Sequence, residues 1–251
     1  MAARLPDFLG IGTQKGGTTT LQTLLEQHPG AYLPPAKELH YFSLYTDRGP
    51  DWYAEQFAPA NPEQRCGEIT PYYLFHPQAP ARIQALVPEA RLIVLLRDPV
   101  ERALSQYFHA RRHRFEPLEL EAALAAEAER LAGAEALLVE PGSHHTSHQK
   151  HSYVSRSRYE LQLAAYEQRF GAAQLLVLRS EDLFSDTERC WDTIQTFLGL
   201  KTIPLPAPLA RANAGRGEAT AVPEAIRLQL RHELAPTAAA MRARYGVDWG
   251  W

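Results

Sequence analysis

Between an apolar run, Phe8-Leu9-Gly10-Ile11-Gly12, and a hydroxyl-rich stretch, Thr18-Thr19-Thr20-Leu21, lies a short turn with a single lysine, Thr13-Gln14-Lys15-Gly16-Gly17. A strand, a glycine-rich turn and a helix start make an anion cradle, because successive backbone N–H groups point outward together and the helix dipole adds positive potential. Gly12 and Gly17 have the spacing of the nucleoside-triphosphate loop GxxxxGK[ST], yet Thr18 stands where that motif has its lysine. Lys15 sits inside the loop instead. A lysine after the second glycine reaches the β- and γ-phosphates beside magnesium, whereas one in mid-loop lies over the transferred group or the oxygen it leaves. The expected chemistry is therefore a transfer without a metal. Thr18, Thr19 and Thr20 can serve as helix caps and as anion donors. The plainer alternative is a tight strand-to-helix turn with a solvated lysine.

A second cluster follows the apolar run Leu92-Ile93-Val94-Leu95-Leu96, which reads as a central strand ending in Arg97-Asp98-Pro99. Pro99 suits a first helical position with Asp98 as N-cap. Arg102, Ser105 and His109 then share one helical face at spacings of three and four. Arg97 at the strand end and Ser105 on the helix can converge on one anion; a surface arginine beside a serine is the alternative. In Lys37-Glu38-Leu39-His40-Tyr41-Phe42, Glu38 can act as an acid or base if it is held near the loop lysine and partly desolvated by Tyr41 and Phe42. The same residues also fit a solvated turn beside a core.

These residues need a scaffold that carries strand ends to one place. Strand-like runs at Phe8–Gly12, Arg65–Ile69, Arg91–Leu96 and Gln174–Leu178 alternate with helical periodicity over Thr19–Gln27, Gln78–Leu86, Val100–His113, Leu118–Leu131, Ser155–Phe170, Thr187–Leu198 and Pro223–Arg244. Such alternation predicts an α/β fold: a parallel sheet with right-handed crossovers, flanked by helices on both faces, with ligands at the carboxyl ends of its strands. A length of 251 residues suits one domain, 1–251. A net charge of −3 argues against general nucleic-acid coating but permits a local basic pocket. Cys66 and Cys190 form neither a disulfide framework nor a zinc pattern. No run approaches a membrane span and no signal peptide precedes the first strand, so a cytoplasmic protein is expected.

Together, Gln14-Lys15-Gly16-Gly17-Thr18-Thr19-Thr20-Leu21, Lys37-Glu38-Leu39-His40-Tyr41-Phe42 and Leu96-Arg97-Asp98-Pro99-Val100-Glu101-Arg102-Ala103-Leu104-Ser105-Gln106-Tyr107 resemble the sulfotransferases that use 3′-phosphoadenosine 5′-phosphosulfate (PAPS). Within that superfamily the chain is most similar to the heparan sulfate N- and O-sulfotransferase branch and its bacterial relatives. Asp51-Trp52-Tyr53, Glu68-Ile69-Thr70-Pro71-Tyr72-Tyr73, Arg156-Ser157-Arg158-Tyr159-Glu160-Leu161-Gln162-Leu163 and Phe197-Leu198-Gly199-Leu200 extend the likeness over most of residues 7–217. The resemblance implies a P-loop-like three-layer fold. It also implies that amides of Gly16, Gly17, Thr18 and Thr19 hold the 5′-phosphate while Lys15 neutralises the bridging oxygen. Arg97 and Ser105 match the 3′-phosphate site, and Tyr159 matches a segment closing over the nucleotide. Glu38 falls on the proposed catalytic base, and His109 on a histidine near the active site. Arg216 and Gly217 match a late loop over the phosphates, with arginine where many relatives carry lysine. The implied product is adenosine 3′,5′-bisphosphate (PAP), with no metal.

The acceptor expected first is a saccharide hydroxyl or amine, then a phenolic natural product or tyrosyl peptide. Tyr41, Trp52, Tyr53, Tyr72, Tyr73 and His76 are either platforms for it or core aromatics. The stretch His144–His151 reads as a mobile loop, with a lid over the acceptor as one hypothesis, and matches no closed metal site. A P-loop small-molecule kinase needing magnesium and a non-catalytic nucleotide-binding module are the readings from other classes. The sequence is silent on oligomeric state.

Overall fold

The computed structural model describes residues 4–206 and 218–251. Five parallel strands form one sheet: β1 (Phe8–Gly12), β2 (Ala31–Tyr32), β3 (Arg65–Ile69), β4 (Arg91–Leu96) and β5 (Leu175–Arg179), in the order β2-β3-β1-β4-β5. β1 lies at the centre, pairing Phe8 with Gly67 on one side and with Arg91 on the other. β4 and β5 are in register from Leu92↔Leu175 to Leu96↔Arg179.

Both faces are apolar because the strands carry unbroken hydrophobic runs, and alternation sorts each run between two cores. Leu9, Ile11, Leu92, Val94 and Leu96 join a core with Ile83, Tyr159, Leu163, Tyr166 and Met241. Phe8, Ile69, Ile93 and Leu95 join Leu21, Leu24, Leu25, Trp191, Ile194 and Leu198 on the other face. The result is the three-layer, P-loop-like α/β arrangement expected. None of the described helices is long and apolar enough to cross a membrane.

Four local differences from the sequence reading have physical causes. β2 has only two residues, paired as Ala31↔Arg65 and Tyr32↔Cys66, too short to show a period. The helix expected over Leu118–Leu131 is two, Leu120–Ala125 and Glu127–Leu131; the buried Glu127 carboxylate instead accepts the amides of Val154 and Ser155 at 2.8 and 2.9 Å. The expected Ser155–Phe170 helix is a 3₁₀ turn, Ser155–Ser157, followed by Tyr159–Glu167, with Ser157 Oγ donating to Pro99 O. Residues 144–151 are not a loose loop. Thr146–Lys150 is helical, His145 Nδ1 accepts the His148 amide, and His148 Nδ1 is 2.8 Å from Tyr72 Oη in the interior. Among the described residues no three His, Cys, Asp or Glu side chains are grouped to hold a metal ion.

Candidate active site

The loop after β1 ends in the Thr18–Glu26 helix, whose N-cap, Gly17, has φ +92°. Among the described residues no side chain caps this helix, and the amides of Gly17, Thr18 and Thr19 make no turn or loop hydrogen bond. Gly16 behaves differently from expectation: its N–H donates to Thr13 O at 2.9 Å, closing the turn, so it is not an open donor. Its role is steric, since a Cβ there would lie 2.5 Å from Leu95 O. Ser180 Oγ and the Arg97 guanidinium hold the loop by donating to Gly16 O and Lys15 O, at 2.8 and 3.4 Å. Of the threonines, Thr19 accepts from Lys37, and the buried Thr20 hydroxyl has no hydrogen-bond partner among the described residues.

Lys15 has a left-handed backbone, φ +73°, a costly conformation for a residue with a side chain. Burial pulls its pKa down to about 8, and the charges that act on it, Arg112, Arg97 and Arg102, push the same way. The loop thus gathers N–H donors and cations, a set that fits a bound polyanion. Arg97 and Ser105 are both half-buried on the neighbouring β4–helix junction, and the Ser105 hydroxyl makes no hydrogen bond among the described residues. Arg102, from the same helix, faces inward instead: fully buried, it donates to Ser157 Oγ at 2.6 Å and to the Tyr153 carbonyl.

The junction itself is firmly built. Asp98 Oδ1 caps the Pro99–Arg112 helix through the amides of Val100 and Glu101, as its sequence position predicts. Its other oxygen accepts from Trp251 Nε1 at 2.6 Å, and its amide donates to Glu181 at 2.9 Å. Tyr159 is buried and donates to Arg97 O at 2.9 Å, so it positions Arg97 from the core. His109 is half-buried, with its pKa pushed down to about 4 by burial, Lys15, His113, Arg112 and Lys150. It is a neutral imidazole at pH 7, and a weak base.

The turn carrying Glu38 approaches the loop from the other side. Glu38 and His40 both have positive φ, +58° and +54°, and His40 Nε2 lies 3.6 Å from Glu38 Oε2. Burial raises the Glu38 pKa as expected from its aromatic neighbours, but His40, Lys37 and Arg156 outweigh it and leave the carboxyl below its usual value. Glu38 is an ionised acceptor at neutral pH. Beneath the turn, buried Glu68 accepts hydroxyls of Tyr53, Tyr73 and Thr70 at 2.9, 2.6 and 2.6 Å. Thr70 and Tyr73 hydroxyls in turn accept the amides of His40 and Phe42 at 3.4 Å.

Two side chains fasten this turn's surroundings to the loop. Lys37 Nζ donates to Thr19 Oγ1, and Arg156 Nη1 donates to Gln14 Oε1 at 2.5 Å. Arg156 is buried over the rings of Tyr72 and Phe75, 4.8 and 5.3 Å from their centroids. Lys37, His40, Glu68 and Arg156 stand within the sequence motifs without an assigned role; Lys37 and His40 neighbour Glu38 in sequence, whereas Glu68 and Arg156 are brought to its turn only by the fold. The aromatic platforms are mostly core: Tyr41, Tyr53, Tyr72, Tyr73 and His76 are buried, and Trp52 alone of the six is half-exposed. Arg216 and Gly217 lie outside the described residues.

Residues 5–210 match the sulfotransferase domain family, and the chain belongs to that family. It is 33% identical over 205 residues to human heparan sulfate glucosamine 3-O-sulfotransferase 3B1, covering 80% of this chain and 47% of that protein. It is 42% identical over 122 residues to the membrane-associated sulfotransferase kil1 of Dictyostelium discoideum, covering 46% and 26%. The chain thus spans about half, or less, of the length of these curated relatives. A crystal structure of a sulfotransferase from Alicyclobacillus acidocaldarius superposes with a TM-score of 0.80 at 27% identity, covering 98% of this chain and 97% of that one. A mouse sulfotransferase complexed with PAP shares the fold, with a TM-score of 0.54 at 15% identity, covering 98% and 90%.

Proposed function

We propose that this chain transfers a sulfuryl group from PAPS to a hydroxyl or amine of a saccharide. The observation that carries the reading is the loop around Lys15: uncapped amides, a half-buried ammonium surrounded by cations, and Arg97 on the adjoining strand end. When bound, the donor supplies an activated sulfuryl group on a bridging oxygen. The amides of Gly17, Thr18 and Thr19 hold the 5′-phosphate, and Lys15 places its positive charge at the bridging oxygen. Arg97 and Ser105 take the 3′-phosphate, for which a guanidinium fork is suited. Glu38, kept ionised by His40 and Lys37, accepts the acceptor proton at its carboxylate. Neutral His109 contributes a hydrogen bond near Lys15, and no residue in this scheme requires a metal.

A saccharide acceptor is favoured by the names of the relatives, a heparan sulfate glucosamine 3-O-sulfotransferase and a bifunctional heparan sulfate N-deacetylase/N-sulfotransferase. In this proposal residues 1–251 act as one transfer domain. Its proposed setting is cytoplasmic, consistent with two buried, unlinked thiols, Cys66 and Cys190. Calorimetry with PAP, ATP and magnesium in separate titrations tests the donor site, with metal-independent PAP binding expected. Transfer of labelled sulfate onto glucosaminyl saccharides, phenols and tyrosyl peptides tests the acceptor. Phenol-only transfer would remove the saccharide assignment, and ATP binding that requires magnesium would remove the donor assignment.

A further inference from the structure

Arg97 faces a competing carboxylate four residues along the chain, on the helix that follows the strand end. Glu101 Oε2 lies 4.0 Å from Arg97 Nη2, a long ion pair across the strand-to-helix junction. The two groups attract at that distance but share no hydrogen bond. The other oxygen, Oε1, is taken by Nη1 of Arg227, from the Glu224–Tyr245 helix. Arg227 is itself fixed, because its Nη2 donates to Ala219 O at 2.7 Å and the adjoining Ile226 and Leu230 pack in a core with Val100 and Leu104. The guanidinium of Arg227 thus holds Glu101 by one oxygen and neutralises its charge. Arg97 keeps a guanidinium that is about one-third exposed, with its nearest carboxylate beyond hydrogen-bond distance.

We propose that Arg227 is a positioning and specificity-determining residue: by occupying Glu101 it keeps Arg97 available for the 3′-phosphate, and so sets preference for 3′-phosphorylated nucleotides. The inference rests on the reading of Arg97 as the 3′-phosphate ligand. Without Arg227, Glu101 is free to turn onto Arg97, and a 3′-phosphate must displace a carboxylate before it binds. A nucleotide lacking that phosphate meets no such competition. The effect is confined to one end of the ligand, which distinguishes it from a general loss of fold.

The test is calorimetry on the full chain with PAP and, separately, adenosine 5′-phosphate, in a buffer without phosphate or sulfate. For Arg227→Gln the Kd for PAP is expected to rise about tenfold, the scale of one competing charged contact, while that for adenosine 5′-phosphate moves less than about twofold. Glu101→Gln alone removes the competitor and is expected to hold or tighten PAP binding. The double variant Glu101→Gln/Arg227→Gln is expected to recover PAP affinity to within about threefold of the parent, a coupling that simple destabilisation does not produce. Equal loss for both nucleotides, no loss in Arg227→Gln, or no recovery in the double variant would each overturn the proposal. So would a selective loss of PAP in Glu101→Gln, a variant at a partly exposed position that does not depend on how well Arg227→Gln folds. Arg97→Gln separates the two levels. If it leaves the preference for PAP intact, the 3′-phosphate assignment fails; if it abolishes the preference while Arg227→Gln does nothing, only the role of Arg227 fails.

Discussion

Lys37 Nζ lies 2.7 Å from Thr19 Oγ1, so the turn that presents Glu38 is tied to the first turn of the phosphate-loop helix. The tie spans 18 residues of sequence and joins the expected proton acceptor to the expected donor site. Lys37→Met is expected to slow turnover by about tenfold through misplacement of Glu38, while PAP affinity stays within about twofold. Steady-state kinetics beside calorimetry check the split. An equal loss in both would make Lys37 a donor ligand instead.

Lys15→Met is expected to lower turnover by about 10²- to 10³-fold, the scale of removing one charge-stabilising donor. The unliganded protein should become more stable at pH 7. Folding depresses the Lys15 pKa from 10.5 to about 8, so the unfolded chain binds more protons between those values and wild-type stability rises with pH across that window. Removing the charge is worth about 1 kcal/mol once solvent screening of a half-buried group is allowed for. Thermal unfolding in a buffer free of phosphate and sulfate checks the sign. Donor capture, measured as kcat/KM, should fall as pH rises through about 8.

Gly16→Ala places a methyl group 2.5 Å from a backbone oxygen of β4, where no rotamer relieves it. The loop must shift. PAP affinity is expected to fall by more than about tenfold and stability by about 1–3 kcal/mol, as for other overpacked sites. Calorimetry and urea unfolding measure the two.

Glu38→Gln is expected to reduce kcat by about 10²-fold or more with little change in PAP affinity. The acid limb of the kcat/KM profile should lie below the ordinary carboxylate value of 4.5, because His40, Lys37 and Arg156 overcome burial and favour the ionised form. In His40→Ala that limb should move upward, since one of the groups holding the pKa down is gone. A downward or unchanged limb would show that a different group accepts the proton.

Much of this architecture was legible because periodicity and capping are local. Leu92–Leu96 could only be a doubly buried strand, and Asp98-Pro99 could only begin a helix, as both do. The loop lysine was legible for the same reason, since four residues around it fix its place. The charge on Glu38 was not, because its sign depends on whether burial or cations win, and Arg156 reaches it from 118 positions away in the chain. The aromatic cluster left two readings open for a related reason: the partner that lets the Tyr53 and Tyr73 hydroxyls stay inside is Glu68, also buried. Nor does the His144–His151 composition disclose that His148 is paired with Tyr72. Long-range pairing, not local pattern, decides each of these.

The crowd of like charges at the β1 loop has a practical side. An empty nest of cations repels itself, so a small anion that settles there firms up the whole molecule by mass action. Melting curves taken in phosphate or sulfate would then describe the salt as much as the protein, and a dye-based thermal screen in an anion-poor medium becomes a direct gauge of which ligands the chain was built to hold.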